Sequence, residues 1–520
     1  MYGISSREVA VKLGLGELAA KLLVFLVIVA CSSSTTSFAE APWTIARFSA
    51  GARELYAAAS RPAPTAGAGV LVLDQEESYT FDAKGHCIYT RYMVYKVLTQ
   101  AGVQGWDAMV AYWQPWRKQK PIFKARVITP SLVVHKLDLK TVTDASAEVD
   151  QSNVYSNERV MRAPLPAVAP GSVVESEVVM KMRPAFAGAG IGARTYFGRI
   201  AVRVEHQSLT LAAPSSIRLR YVLQLLPHLQ PRRIEKHGRV KLVFEEGPIA
   251  PLKQALSYLP SDVPGYPSIA FSTGDSWHAI AQGYRSIVNS RIGDSNLQPA
   301  LAKIVQGRTT QQQELTAIPE YLDKEIRYTG VEFGKAAVVP HLPSQTLARR
   351  YGDCKDKATL LVALLRAAGV PSYVALLNVG ERLNISPSLP SMDFFDHAIV
   401  YVPAPQNLWI DPTDRYSRAG QIPIWDQGRW ALIVRGGTQK LVQIPEAPAE
   451  DNVFLESRQF NLSEYGPARV TETDHPEGAL ESEYRQFFAT DQSKNIHSQF
   501  SDYVKTQYLD LTPKFARFGV

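Results

Sequence analysis

The sequence predicts a multidomain chain in which an N-terminal all-β, sandwich-like domain precedes an α+β core. Three observations carry that prediction. The chain has 520 residues, enough for about three domains at roughly 150 residues each. From 70 to 245, runs of aromatic and β-branched residues recur between Pro and Gly with no long helical period. From 271 to 445, helical patterns lead to one strongly apolar helix and then to several short strands.

Composition narrows the class. Hydrophobic residues make up 46% and charged residues 20%, which supports a sizeable core and excludes wholesale disorder. The 33 glycines and 34 prolines fit a loop-rich globular chain and exclude a collagen-like one. Three cysteines exclude a disulfide scaffold and a multi-cysteine zinc array. No HExxH and no His/Cys cluster at zinc spacing occurs, so neither metal nor cofactor is expected. No Gly-x-Ser-x-Gly elbow is present either. A net charge of +7 suits a protein near anionic lipid or envelope polymers.

Residues 1–39 read as a signal peptide: Lys12 and Lys21 precede the apolar run Leu22–Ala30, and Ser37-Phe38-Ala39 offers a cleavage site before Glu40. Nine apolar residues are too few to span a bilayer, which takes about 20. A second processing route sits in the same segment, because Ile28-Val29-Ala30-Cys31-Ser32 resembles a bacterial lipobox with Cys31 as the lipid anchor. Either route places the protein outside the cytoplasm, in the periplasm or on the cell envelope, with no membrane span in the mature chain. Cys87 and Cys354 then remain, and an oxidising compartment allows them to pair.

Residues 40–69, rich in Ala, Pro and Gly, read as a short helix and linker. In the β-rich stretch 70–245, strands are expected at 87–98, 125–128, 131–139, 172–181, 200–205, 217–226 and 240–245. Five prolines mark 246–270 as a linker. Helices are expected at 276–287, 296–305 and 311–326; in the last, Leu315, Ile318, Leu322 and Ile326 fall at helical spacing. The next begins near Asp353, carries Leu360, Leu361, Leu364, Leu365 and Ala368 as one stripe, and stops at Gly369 and Pro371. Strands follow at 372–379, 397–402 and 407–411. Residues 446–520, with strand-like pieces at 458–462, 469–473 and 479–488, read as a β-rich segment of an incomplete domain.

Three residues in this core suggest chemistry. Cys354 stands at a helix N-terminus, where free N–H groups and the helix dipole favour a thiolate nucleophile. Such a nucleophile needs a base, and the base needs an orienting partner. His397 opens one strand and Asp411 closes the next, which places them as cross-strand neighbours if the two strands pair antiparallel. The order Cys, His, Asp follows papain-like triad logic. Asp353, Lys355, Asp356 and Lys357 read as helix capping and solvated charge.

The blocks Gly352-Asp353-Cys354-Lys355-Asp356-Lys357-Ala358, Phe395-Asp396-His397-Ala398 and Trp409-Ile410-Asp411-Pro412-Thr413 resemble the three motifs of the transglutaminase-like superfamily. Ile326–Gly334 and Asp426-Gln427-Gly428-Arg429 resemble one exported bacterial branch, whose β-rich domain of unknown function matches Leu165-Pro166 and Pro170–Glu175 here. The resemblance spans about 70–440. It implies a papain-like core with Cys354 as nucleophile, His397 as base and Asp411 as orienter. It also implies acyl transfer from an amide or peptide bond through a thioester to water or an amine. Ile399 stands where many members carry Trp, and Asp396 where Asn is common in this branch. Candidate oxyanion donors are Gln345 and the Cys354 N–H.

Two other patterns are set aside. Gly188–Ala193 spells GxGxxA, but a strand-like run follows it, which excludes a dinucleotide site. Trp113–Lys120 mixes aromatics and bases but reads as a solvated strand or loop, with no nucleic-acid partner expected. The function expected is an exported cysteine peptidase, amidase or acyltransferase acting on a protein or peptide of the cell envelope. The rival is a non-catalytic envelope scaffold that binds through its β-rich domain.

Overall fold

The computed structural model describes residues 41–508 except 46, 148–152, 258, 382, 405–406, 418–419, 467 and 491–492. The signal peptide expected at 1–39 and the lipid-anchor candidate Cys31 lie outside the described residues. Among the described residues no helix is long and apolar enough to cross a membrane.

The chain is multidomain, with a β-rich N-terminal part and an α+β core. The β-rich part is built on an eight-stranded sheet. Its order is Arg232–Lys236, Arg239–Glu246, Gln207–Pro214, Val70–Phe81, Cys87–Val97, Val173–Met182, Ile122–Ile128 and Val134–Lys136. Its one parallel pairing joins Val70–Phe81 to Gln207–Pro214. Side chains alternate between faces along a strand. Val70 and Val72 therefore pack with Met109 and Met161 of one three-stranded sheet, while Leu71 and Leu73 pack on the opposite face. A second three-stranded sheet covers Leu209, Leu211 and Phe244 with Ile269 and Phe271. This is the sandwich expected from the strand runs.

Four expectations about elements are corrected. Residues 40–69 are not a free linker: Trp43 and Leu55 are buried against Leu71, Tyr92 and Val94. The tie is polar as well. Glu175, buried in the sheet, accepts from Phe48 N at 2.7 Å, Tyr92 Oη at 2.6 Å and Arg126 Nε at 2.6 Å. Residues 246–270 do not end as linker either, because Ser268–Ser272 is a fully buried strand between Gly192–Tyr196 and Arg220–Gln224. Its prolines stop at Pro267, so the strand keeps every N–H it needs for two neighbours. The run 200–205 forms isolated bridges only, since Ala201 at φ 58° turns the chain. At the C-terminal end, Phe454–Asn461 and Arg469–Pro476 form a hairpin, but 479–488 lies in a helix, Ala479–Thr490. Tyr484 and Phe488 meet at helical spacing with ring centroids 6.3 Å apart, a period the strand reading overlooked.

In the core, the helix Cys354–Ala367 is buried from Cys354 through Leu365. Helices Trp277–Gly293 and Gln311–Glu325 pack around it. One face meets a five-stranded antiparallel sheet ordered Leu408–Ile410, His397–Val402, Tyr373–Leu377, Trp430–Ile433 and Val442–Gln443. Its stretch Ala358–Leu365, apolar nearly all round, requires such enclosure.

The two parts are knitted together. Gly330–Glu332 of the core pairs in parallel with Val154–Ser156 of the β-rich part. Arg117 Nη1 meets Asp393 Oδ1 at 2.6 Å, and Met392 N donates to Ala189 O at 3.0 Å. A Cβ on Gly192 would stand 2.8 Å from Ser391 Cβ and Phe394 Cε2, so only glycine permits this approach.

Candidate active site

Cys354 is the first residue of its helix. Asp353 caps it, accepting the Asp356 N–H at 3.1 Å, as an N-cap carboxylate does. By helix geometry the N–H groups of Cys354 and Lys355 lack an intrahelical acceptor and favour negative charge beside them.

His397 opens its strand, and Asp411 directly follows the neighbouring one. The strands pair antiparallel with Val400 opposite Ile410. That register makes His397 and Asp411 a diagonal pair of cross-strand neighbours. His397 Nε2 and Asp411 Oδ2 are 3.1 Å apart. Asp411 Oδ1 accepts from the Thr413 N–H and hydroxyl, both at 2.8 Å. With Nε2 committed, Nδ1 is the ring nitrogen left for the thiol. Burial alone lowers a histidine pKa, but Asp411 and then Cys354 override it and raise that of His397 well above the ordinary value. Burial pushes Asp411 up, yet the His397 charge and the Thr413 bonds bring it below the usual carboxylate range.

Asp396, in the place where Asn is common, accepts from the N–H groups of Val379 and Gly380 at 2.8 Å each. It fixes the turn beside the histidine strand. Ile399 is fully buried among Ala375, Leu377 and Trp409, on the side of the sheet away from the helix Cys354–Ala367. Gln345 is exposed on the helix Pro343–Arg349 and lies outside the cleft, which leaves the Cys354 N–H as the candidate oxyanion donor.

The four charges around Cys354 are not solvated, which corrects the expectation. All four are buried, Lys357 completely. Lys355 Nζ pairs with Asp353 Oδ2 and, at 3.2 Å, with Glu332 Oε1. Burial opposes its charge, but Asp353 and Glu332 raise its pKa above the lysine norm. Asp356 Oδ1 accepts the His341 N–H at 2.7 Å, and His341 Nδ1 sits 3.0 Å from Asp356 Oδ2. Lys357 Nζ makes no hydrogen bond among the described residues, and burial lowers its pKa to about 8 against the pull of Asp323 and Asp411.

Asp426 was legible only as part of a motif, without a role. It is fully buried, neither oxygen is hydrogen-bonded among the described residues, and one of its oxygens lies within 4.8 Å of both a His397 ring nitrogen and an Asp411 carboxylate oxygen. Burial and then the Asp411 charge raise its pKa well above the ordinary value. Two ionised carboxylates are both acceptors, so a proton held on Asp426 turns this contact into a hydrogen bond. We read the group as an extension of the histidine–carboxylate pair, because His397 and Asp411 already satisfy one another and Asp426 has no exposed surface.

The pairing allowed between Cys87 and Cys354 does not occur. Both thiols are free and buried, in different apolar clusters, and burial pushes Cys87 up to about 12.

Cys354 and His397 share a cavity of about 500 Å³. Its walls come from both parts of the chain: Tyr79, Tyr89, Gln114, Arg117 and Lys118 belong to the β-rich part. Within the segment Trp113–Lys120, Gln114, Arg117 and Lys118 thus form part of the cleft wall, while Pro115, Gln119 and Lys120 are exposed as expected of a solvated loop. Only long-range topology brings the segment there, and no local signal marks it. A larger cavity of about 650 Å³ lies elsewhere, between helices Gln298–Ile304 and Gln311–Glu325, and contains no nucleophile.

Comparison with known proteins agrees with the two-part fold. Residues 299–412 match the transglutaminase-like superfamily, and residues 83–253 match a domain of unknown function, DUF3857. The chain thus carries a stretch that matches DUF3857, followed by a transglutaminase-like core. A candidate protease from Parabacteroides distasonis has a similar fold, with a TM-score of 0.58 at 12% identity over 76% of this chain and 78% of that one. A candidate cysteine protease from Cytophaga hutchinsonii aligns at 10% identity over 71% of this chain and 92% of that one, with a TM-score of 0.21. A zinc metallopeptidase from Deinococcus radiodurans aligns at 11% identity over 39% and 42%, with a TM-score of 0.19. The last two values carry no structural argument. No curated protein sequence matches the chain. The DUF3857 match covers most of the β-rich part, and the core match contains Cys354, His397 and Asp411.

Proposed function

We propose that this transglutaminase-like protein is an exported cysteine-dependent enzyme that cleaves amide or peptide bonds in the cell envelope. One observation carries the reading: His397, held by Asp411, shares a cleft with Cys354 at a helix N-terminus.

In the proposed cycle His397 takes the Cys354 proton, giving a thiolate and an imidazolium. The thiolate attacks the amide carbonyl, and the Cys354 N–H steadies the oxyanion. His397 then gives its proton to the departing amine, leaving a thioester. Deprotonated again, it activates a water that releases the acid and restores the thiol. Asp411 holds the ring and stabilises the imidazolium throughout. Hydrolysis is preferred to cross-linking, in keeping with the protease description of the Parabacteroides relative. The contribution of the β-rich part to the cleft wall favours an enzyme over the scaffold reading.

The test is turnover of envelope-derived peptides and amides by the mature chain and by Cys354→Ala. Activity that survives the substitution sinks the reading. The export element is tested by following the N-terminus of the mature protein, which is expected at Glu40 after cleavage or at a lipidated Cys31.

A further inference from the structure

The cleft wall supplied by the β-rich part carries a charge pattern that points to a substrate. Three cations and three acids line the cavity near Cys354. Five of the six are satisfied within the protein. Lys355 pairs with Glu332 at 3.2 Å, Arg117 pairs with Asp393 at 2.6 Å, and Asp396 accepts two backbone N–H groups. Lys118 remains. Among the described residues it has no carboxylate within 4.0 Å and makes no side-chain hydrogen bond. Glu158 and Asp393 act on it only from further away, and burial lowers its pKa against them.

Its backbone is fixed. Lys118 N donates to Gln114 O at 2.8 Å, and an isolated bridge joins Lys118 to Met182. The ammonium is therefore a half-desolvated cation held on a rigid wall. Removing such a charge from water costs free energy that a counter-charge offsets. Tyr79, Tyr89 and Met180 give the same wall an apolar surface.

We propose that Lys118 binds a carboxylate of the substrate, making the cleft selective for an acidic peptide. The proposal rests on the reading of Cys354 as the nucleophile and adds to it a specificity residue from the DUF3857 part. Two sources share this chemistry: an Asp or Glu side chain, or a free chain-terminal carboxylate.

The test uses peptidyl vinyl sulfones, which alkylate a catalytic thiol, and reads the rate of Cys354 labelling by mass spectrometry. Three probes are compared: a neutral one with Gln, one with Glu in its place, and one with Gln and a carboxylate on the sulfone arm. One acidic probe is expected to label Cys354 about tenfold faster than the neutral one, as a charge-assisted contact allows. Which of the two is faster identifies the source. The advantage, read in each protein as the ratio of the acidic to the neutral probe, should vanish in Lys118→Met, reverse in Lys118→Glu and return in Lys118→Arg. Lys118→Met keeps the apolar stem, and the neutral probe confirms that the cleft is intact. Equal labelling by all three probes, with the rate still dependent on His397, overturns the role of Lys118 and leaves the nucleophile standing. Labelling that is unchanged in His397→Ala overturns the nucleophile, and the proposal falls with it.

Discussion

Lys357 offers a test of how the core tolerates charge beneath the site. Its side chain is fully buried, and its ammonium makes no hydrogen bond among the described residues. Burial moves its pKa from 10.5 to about 8 despite Asp323 and Asp411 nearby. That gap corresponds to a penalty of about 3 kcal/mol for the charged form in the folded state. The sign follows from linkage. Below pH 8 the lysine is charged in both states, and the penalty is complete. Between pH 8 and 10.5 the unfolded chain binds more proton, so stability rises with pH. Above 10.5 the penalty is gone. Lys357→Met keeps the volume and removes the charge. It should stabilise the core by about 3 kcal/mol at pH 7, an opening constant lower by roughly 100-fold. Against the native protein, that gain should fade by pH 10.5. The assay is urea unfolding, followed by hydrogen exchange on the peptide covering Cys354–Ala367. A variant less stable than the native protein at pH 7 would refute the reasoning, because it would mean that attraction to Asp323 and Asp411 outweighs burial. The same substitution removes a cation near Asp411 and should lower turnover even as the fold gains stability, an exchange common at active sites.

Other expectations follow from the same geometry. His397 holds its proton above the ordinary histidine range, so alkylation of Cys354 should already be fast at pH 6 and slow in His397→Ala; rates that rise only near the free-thiol value of about 8.5 in both proteins would show no ion pair. Asp411→Asn should lower turnover by about 10³- to 10⁴-fold with the fold intact by circular dichroism. Glu175→Ala strands the buried Arg126 and should cost about 3–5 kcal/mol, read as a lower thermal midpoint and as proteolysis near residues 41–60. Asp426→Asn mimics the protonated carboxyl. The native acid, with its raised pKa, loses stability as pH climbs through the folded value, so the Asn variant should be at least as stable at pH 8 and vary less with pH.

Much of the core was legible because its signals are local. The helix at Cys354 announces itself by an Asp cap, an apolar stripe and a Gly stop, and His397 and Asp411 fall on adjacent strands at a spacing that fits their pairing. The strand runs of the β-rich part were readable for the same reason, through β-branched and aromatic content. What escaped was long-range. Nothing near Trp113–Lys120 says that it will face a thiol more than two hundred residues away in sequence. The charges beside Cys354 looked solvated because charge usually is; only the enclosure of the whole helix reverses that. Ser268–Ser272 was hidden by the prolines before it, and the helix Ala479–Thr490 by aromatic residues that suit either period.

The position of the cleft wall also bears on the order in which the protein is completed. A chain emerging N-terminus first presents the DUF3857 part before any of the core. Its second small sheet stays open until Ser268–Ser272 arrives, and Val154–Ser156 waits for Gly330–Glu332. Cys354 follows, then His397, and Asp411 after both. The wall of the cleft is thus made before Cys354 meets His397, and Asp411, which holds the ring, comes last. Vectorial synthesis leaves the proposed site incomplete until most of the core has been made.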